Sequence, residues 1–468
     1  MSDQRAATGV IVLQRKRRGA ELLLLILALG AAIGAYALVG LAVEGKFSDN
    51  LWTYAAGMTL LVGLAHGVVR WRAPWSDPIL LPCVVLLNGL GLALIHRLDL
   101  AKDPGSVADA SRQLMWTAVG VVLFVLTLLL IQDHRRLQRI TYTAGLAGIA
   151  LLILPLVPGI GREVQGAQIW IRVGGLNFQP GEVAKFCMIV FFAGYLVVKR
   201  DALALAGRRF LGIDLPRGRD LGPILLAWVI SLGILVFQRD LGTALLFFGT
   251  FVILLYVSTE RPGWAVIGTA LFVGGCYFAY FAATVLDIRQ FSHIANRVNA
   301  WLDPFAHPDG AYQIIQSLYG LAYGGILGKG LGEGRPELVP LAKSDFIAAA
   351  LGEELGLTGL MAVIVLYGIL VERGLRTALI CRDHFGKLLA TGFAAIIGLQ
   401  VFVVLGGVTK LIPLTGLTTP FLSYGGSSLV ANWALVALLM RISDYARRPP
   451  MEPTAIVEDA QTQVVVRR

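Results

Sequence analysis

Charge is scarce in this 468-residue chain. Asp, Glu, Lys and Arg together make up 15% of it, against roughly 25% in an ordinary soluble domain. Apolar residues make up 56%, and the mean hydropathy is +0.71. That balance argues against a soluble fold and places the chain among polytopic membrane proteins. Cysteine is scarce too: Cys83, Cys187, Cys276 and Cys381 are the only four. Three lie in apolar runs and Cys381 in a basic loop. None has a partner at metal-ligand spacing, which argues against a disulfide framework or a zinc site. Acidic residues are the minority charge, 30 against 40 basic, for a net charge of +10. The basic residues fall in short segments beside apolar runs, a topology signal and not a nucleic-acid stripe, so no nucleic-acid partner is expected. The apolar run after the polar N-terminus is too long for a cleaved signal peptide and is read as a true span.

Spans need about 20 apolar residues each. Twelve stretches qualify: 21–43, 51–69, 78–97, 113–132, 142–160, 182–198, 221–237, 241–258, 263–285, 346–371, 387–408 and 424–441. Arg15 to Arg18, Arg70 and Arg72, Arg135 to Arg139, Lys199 to Arg219, Arg373 to Lys387 and Arg441 to Arg448 all fall on one side of that alternation. The positive-inside rule makes that side cytoplasmic, with both termini there. The expected fold is therefore an all-α polytopic membrane bundle. Residues 1–20 are its basic cytoplasmic N-terminus and 21–76 are two additional spans. Residues 77–443 are a ten-helix core, and 444–468 a disordered cytoplasmic tail. Loops 161–181 and 286–345 then lie outside the cytoplasm, where no ATP is expected. No repeat is visible, so an inverted-repeat transporter is not claimed.

Ionisable residues at span edges are costly and so are functional candidates. Glu182 and Lys185 open the sixth span at i, i+3, on one helix face; they read as a structural ion pair or as a cavity lining, with Lys185 meeting an anionic headgroup. Asp240, in a tight turn, reads as a helix cap. Asp345 either caps the tenth span or does chemistry at its mouth. Glu353 and Glu354 then follow inside that span, and Asp345, Gly352 and Gly356 recur at roughly helical spacing. That small, acidic face suits a groove for a substrate or metal. Gly324 to Gly330 fails as a phosphate loop, since the glycine spacing is wrong and no Ser or Thr follows Lys329; it reads as a flexible loop. Pro413 to Ser428 carries two prolines and several glycines between two spans. Such irregular backbone at membrane depth survives only when buried in protein or lining a cavity.

These motifs together resemble those of the SEDS family, the shape, elongation, division and sporulation proteins typified by RodA and FtsW. Gln179-Pro180-Gly181-Glu182-Val183-Ala184-Lys185 resembles the family's QPSE-x-x-K. Gln238 to Ala244 resembles Q-P-D-L-G-T-A. Ser344-Asp345-Phe346-Ile347 with Glu353-Glu354-Leu355-Gly356 resembles H-T-D-F-I and E-E-L-G. Pro413 to Ser428 resembles the I-P-x-T-G-x-x-x-P-x-x-S-Y-G-G-S-S signature. The likeness runs from about Asp77 to Arg441 and leaves the first two spans as extras. Several positions depart from the pattern: Lys343-Ser344 for His-Thr, Gln168-Ile169 for two arginines, His307 for aspartate, a shortened Gly310-Ala311-Tyr312, and Arg239 for proline.

The resemblance implies a lipid II polymerase, an inverting peptidoglycan glycosyltransferase of RodA-like type. It implies as partners a class B penicillin-binding protein and other elongasome or divisome membrane proteins. The family's essential aspartate falls on Asp345, expected here as general base, and its Glu–Lys pair on Glu182 and Lys185. Arg172, Lys343, Arg297, Glu353, Glu354, Ser423 and Ser427 complete the expected substrate-binding set. No resident cofactor is expected, although a divalent cation, Mg or Mn, could share the pyrophosphate with Asp345 as ligand. Two other classes stay open: a lipid II flippase, which needs no base, and a non-catalytic scaffold.

Overall fold

The computed structural model describes residues 16–102, 107–164, 166–174, 176–204, 208–210, 213–215, 218–288 and 291–449. Both ends of the chain, including most of the expected tail, lie outside these residues. The helices in chain order are α1 (Arg18–Glu44), α2 (Leu51–Arg72), α3 (Leu80–Leu100), α4 (Asp109–Leu130), α5 (Thr141–Ile153), α6 (Pro180–Ala204), α7 (Gly218–Phe237), α8 (Leu241–Thr259), α9 (Gly263–Thr284), α10 (Ser292–Leu302), α11 (Pro308–Gly324), α12 (Ile347–Ile380), α13 (His384–Val408) and α14 (Gly426–Arg447). Among the described residues eleven helices are long and apolar enough to cross a membrane: all except α7, α10 and α11, with α5 counted together with its flanking 3-10 turns as His134–Leu156; over the expected seventh span, α7 carries a shorter apolar stretch, Trp228–Phe237.

The apolar runs become helices because lipid offers backbone groups no partner, so each must be satisfied within its own segment. α3, α6, α13 and α14 form the buried centre, while α9 is mostly exposed. The basic loops gather at one end of the bundle. There Arg447 pairs with buried Asp77, the Trp75 N–H donates to Asp444 (2.8 Å), and Arg441 donates to the Arg72 (2.6 Å) and Leu128 (2.5 Å) carbonyls. These charges are affordable only because they are paired.

α1 and α2 are built into the bundle. Gly89 of α3 has no Cβ, and one there would strike Ala32 of α1. Buried Glu21 pairs with Arg18 and with His66 Nδ1 (2.8 Å), and Arg18 also donates to the Pro74 (3.0 Å) and Ser76 carbonyls. Toward the other end Tyr36 stacks between Tyr54 and His96, both with ring centroids at 4.1 Å.

At the end opposite the basic loops the two long connecting segments carry secondary structure, and one expectation is corrected. Loop 161–181 is not plain loop: β1 (Gly161–Val164), β2 (Ala167–Val173) and β3 (Leu176–Phe178) form an antiparallel sheet in the order β1-β2-β3. Loop 286–345 carries α10 and α11. The glycine run, expected as a flexible loop, is docked. α12 breaks at Gly356 (φ 67°, ψ −171°), and the run supplies the missing partners: Lys329 N–H to the Glu353 carbonyl (3.1 Å), Gly330 N–H to that of Glu354 (2.9 Å), and Leu357 N–H to that of Gly325 (3.0 Å). A Cβ at Gly324, Gly328 or Gly356 would collide with the facing backbone. The glycines permit backbone-to-backbone approach where ordinary side chains could not fit. Gly332 in turn lies against Ala42 and Val43 of α1.

Candidate active site

The candidate site forms where α6, α8, α10, the start of α12, α13 and the segment 412–425 meet. That segment is irregular, with Gly416 at φ 77° and buried Phe421 at φ 65°. It is buried protein backbone, as irregular structure at this depth requires. Two bonds tie it to the residues before α12: Ser423 Oγ donates to the Ser344 carbonyl (2.6 Å), and the Tyr424 N–H donates to that of Lys343 (2.7 Å).

Asp345 does not cap α12. The cap position falls on Phe346, and no side chain bonds there. The tight turn from Leu341 (φ 59°) to Phe346 sets the half-buried Asp345 apart from the helix end. Its carboxylate lies beside Gly416, where an added Cβ would sit 3.8 Å from Asp345 Oδ2 and 3.6 Å from Arg297 Nη2. The bare Gly416 backbone therefore leaves a carboxylate and a guanidinium bordering one small space. Arg297 is fixed to this shelf of backbone, donating from Nη1 to the carbonyls of Leu414 (3.2 Å) and Thr415 (2.9 Å). Burial pushes the Asp345 carboxyl up to about 6, with the Ser344 hydroxyl and the Arg297 charge pulling against it. A carboxylate so desolvated is a stronger base than one in water.

Beneath lies a buried polar layer. Glu182 and Lys185 pair at 2.8 Å, and Lys185 Nζ also donates to Gln400 Oε1 (3.2 Å). Gln400 Nε2 then donates to the Thr418 carbonyl (2.7 Å), which carries the network to the Gly416 shelf. Asp240 is a cap as expected, accepting from the Thr243 N–H (2.9 Å). It is more than a cap. Burial raises its carboxyl, Lys185 pulls it back down, and its charge is felt by Arg297. Gln400 was missed in the sequence, though a single amide inside an apolar span was a visible signal.

The other expected residues are placed differently. Arg172 is exposed on β2, opposite Asn177 of β3. Its sheet is anchored to the α7–α8 turn by the Gln168 N–H donating to the Gln238 carbonyl (3.3 Å). Lys343 is tied to Asp109, which Lys102 also holds (2.6 Å), and its ammonium lies 5.0 Å from the Tyr424 ring centre. Ser427 is buried and accepts from the Gln179 N–H (3.0 Å). Four more residues of the expected substrate-binding set have partners within the protein. Ser423 and Ser427 are spent on backbone groups. Glu353 accepts from the Arg335 N–H (2.7 Å), and Glu354 pairs with buried Arg97 (3.0 Å). The small, acidic face of α12 is no open groove, since Leu321 and the glycine run fill it.

Comparison with known proteins adds independent findings. The FtsW/RodA/SpoVE family model, described as a cell cycle protein, matches residues 78–448. The peptidoglycan glycosyltransferase RodA of Mycobacterium tuberculosis (strain ATCC 25618 / H37Rv) is 50% identical over 438 residues, covering 92% of each chain. The probable peptidoglycan glycosyltransferase FtsW of Trichlorobacter lovleyi is 34% identical over 388 residues, covering 81% of this chain and 96% of its own. Among solved structures, a chain from a peptidoglycan synthase complex that coordinates polymerization and crosslinking superimposes with a TM-score of 0.62. It is 29% identical and covers 79% of this chain and 97% of its own.

Proposed function

Because the chain belongs to the FtsW/RodA/SpoVE family, we propose that it is a peptidoglycan glycosyltransferase that polymerises lipid II with Asp345 as general base. The observation that carries the assignment is Asp345 itself. It is a desolvated carboxylate unused as a helix cap, facing Arg297 across the bare Gly416 backbone.

The transfer is one displacement. The acceptor sugar's 4-hydroxyl attacks the anomeric carbon of the donor, the new glycosidic bond forms, and the bond from that carbon to pyrophosphate breaks. Asp345 takes the hydroxyl proton, and the lipid pyrophosphate leaves with the electron pair. With no second carboxylate acting as nucleophile, the anomeric centre inverts. Arg297 faces the same space and stabilises the departing charge, as preorganised donors do in a dry site. Arg172, free on its sheet, meets the outer phosphate or sugar. Lys185 stays with Glu182 and Gln400 and holds the floor under the shelf, while Lys343 stays with Asp109. One carboxylate plus pyrophosphate oxygens is a donor set that suits Mg²⁺ or Mn²⁺. Asp345 would hold such an ion, whose charge would offset that of the leaving group.

The basic end of the bundle is assigned to the cytoplasm and the Asp345 end to the outer face of a bacterial plasma membrane. The higher identity to RodA than to FtsW supports an elongation role. The likeness to a synthase complex supports a class B penicillin-binding protein as partner, alongside other elongasome or divisome membrane proteins.

Purified protein supplied with labelled lipid II tests the reading. Wild type should make glycan polymer and Asp345→Asn should make none while eluting as a folded monodisperse protein. Polymer from Asp345→Asn at the wild-type rate would overturn the assignment. Lipid II translocation without any glycosidic bond from wild type would favour a flippase instead.

A further inference from the structure

At the basic end, far from Asp345, three residues from distant parts of the chain meet. His134 opens a 3-10 turn between α4 and α5, while Cys381 and Asp383 form the turn from α12 to α13. His134 Nε2 lies 2.9 Å from Asp383 Oδ2, and Cys381 Sγ lies 3.4 Å from the same oxygen. The three donor atoms all fall within 4.8 Å of one another. His134 is fully buried and the other two are half-buried. Gly386 supplies a second observation. A Cβ on it would lie 2.6 Å from Cys381 Sγ, 2.6 Å from His134 Nε2 and 2.9 Å from Asp383 Oδ2. The three donors thus crowd together against the bare Cα of Gly386, and they can do so only because residue 386 carries no Cβ.

We propose that His134, Cys381 and Asp383 bind a divalent transition metal, with zinc the best match. Imidazole, thiolate and carboxylate together are a zinc donor set, and three such ligands leave a fourth position for water. Binding takes one proton from the Cys381 thiol to solvent. It also moves the His134 proton from Nε2 to Nδ1, which has no hydrogen-bond partner now and has Asp133 Oδ1 3.9 Å away. A carboxylate behind the second imidazole nitrogen is the usual support for a metal-bound histidine. The ion staples the α12–α13 turn to the α4–α5 turn. The 34 residues of α12 put roughly 50 Å between it and Asp345, so it is separate from any cation at the transfer site. The absence of metal spacing in the sequence is no obstacle, because the ligands come together only through packing.

The test is cobalt titration of the purified full-length protein in detergent after chelation and desalting. Wild type should bind one Co²⁺ per chain with a thiolate-to-cobalt charge-transfer band, and Zn²⁺ should displace it. Cys381→Ser should lose the band, and Gly386→Ala should weaken binding because its Cβ would push the three donors apart. Asp133→Ala should weaken it about tenfold, and Cys276→Ser, at an exposed cysteine on α9, should leave the band intact. A folded wild-type protein with no thiolate band would overturn the proposal, since no variant is involved. A band that survives Cys381→Ser would overturn it equally.

Discussion

Replacing Arg297 by Gln should move the acid limb of the polymerisation pH profile to higher pH. In the wild type, Asp345 must be ionised to accept the hydroxyl proton, and its carboxyl titrates at about 6. The rate constant kcat/KM should therefore fall about fivefold between pH 6 and 5 and level off above about pH 7. Arg297 is a named cause holding that value down. The Gly416 shelf bounds the charge separation, because Nη2 and Oδ2 each lie within 3.8 Å of one point above it. At about 7 Å and an effective dielectric constant near 20, their attraction is about 2 kcal/mol. Its loss should lift the limb by about one and a half pH units. The assay is initial-rate polymerisation of labelled lipid II across pH 4.5 to 9 for both proteins (a range of roughly four units, wide enough to hold both limbs). A limb that stays in place, or moves down, would refute the claim that Arg297 and Asp345 share one electrostatic site.

Further outcomes follow from the same geometry. For Asp345 the sign is that of a raised carboxyl: the cost of ionising it is absent below about pH 4 and fully present above about pH 6. A shift from 3.8 to about 6 corresponds to about 2–3 kcal/mol. Asp345→Asn should therefore raise Tm at pH 7 while abolishing polymer, and an unchanged or lower Tm would count against its desolvation. Lys185→Gln leaves Glu182 buried and unpaired, and should cost about 3–5 kcal/mol by thermal unfolding. The double variant Glu182→Gln with Lys185→Gln should recover part of that loss. Gly356→Ala places a side chain at φ 67° against the Gly328 backbone, and should lower Tm and open the 324–334 run to proteolysis. With a divalent cation held at Asp345, chelation should stop polymerisation and added Mg²⁺ or Mn²⁺ should restore it.

How much of the site was legible can be argued residue by residue. The Glu182–Lys185 pair was readable because i, i+3 spacing on one helix fixes the contact locally. The Asp240 cap was readable for the same reason, since a cap bonds within three residues. The role of Glu353 and Glu354 was not. Their partners, the Arg335 N–H and Arg97, come from other segments, and only docking of the glycine run on the Gly356 break shows that the acidic face is filled. Ser423 looked like a ligand because a serine in a polar signature suggests one. Its hydroxyl proved to bind backbone across a long loop closure.

The sequence by itself determined the class of the protein and the place of its apolar helices. Hydrocarbon demands apolar helices of a certain length, and basic loops mark one side, so both are written in local composition. It also marked Asp345 as a residue of interest. The tertiary structure alone decided what Asp345 faces: Arg297 from α10, across a glycine from the segment before α14. It alone brought His134 beside Cys381 and Asp383. Such pairings join residues about 50 to 250 positions apart. They depend on how helices pack, which no local pattern of residues records.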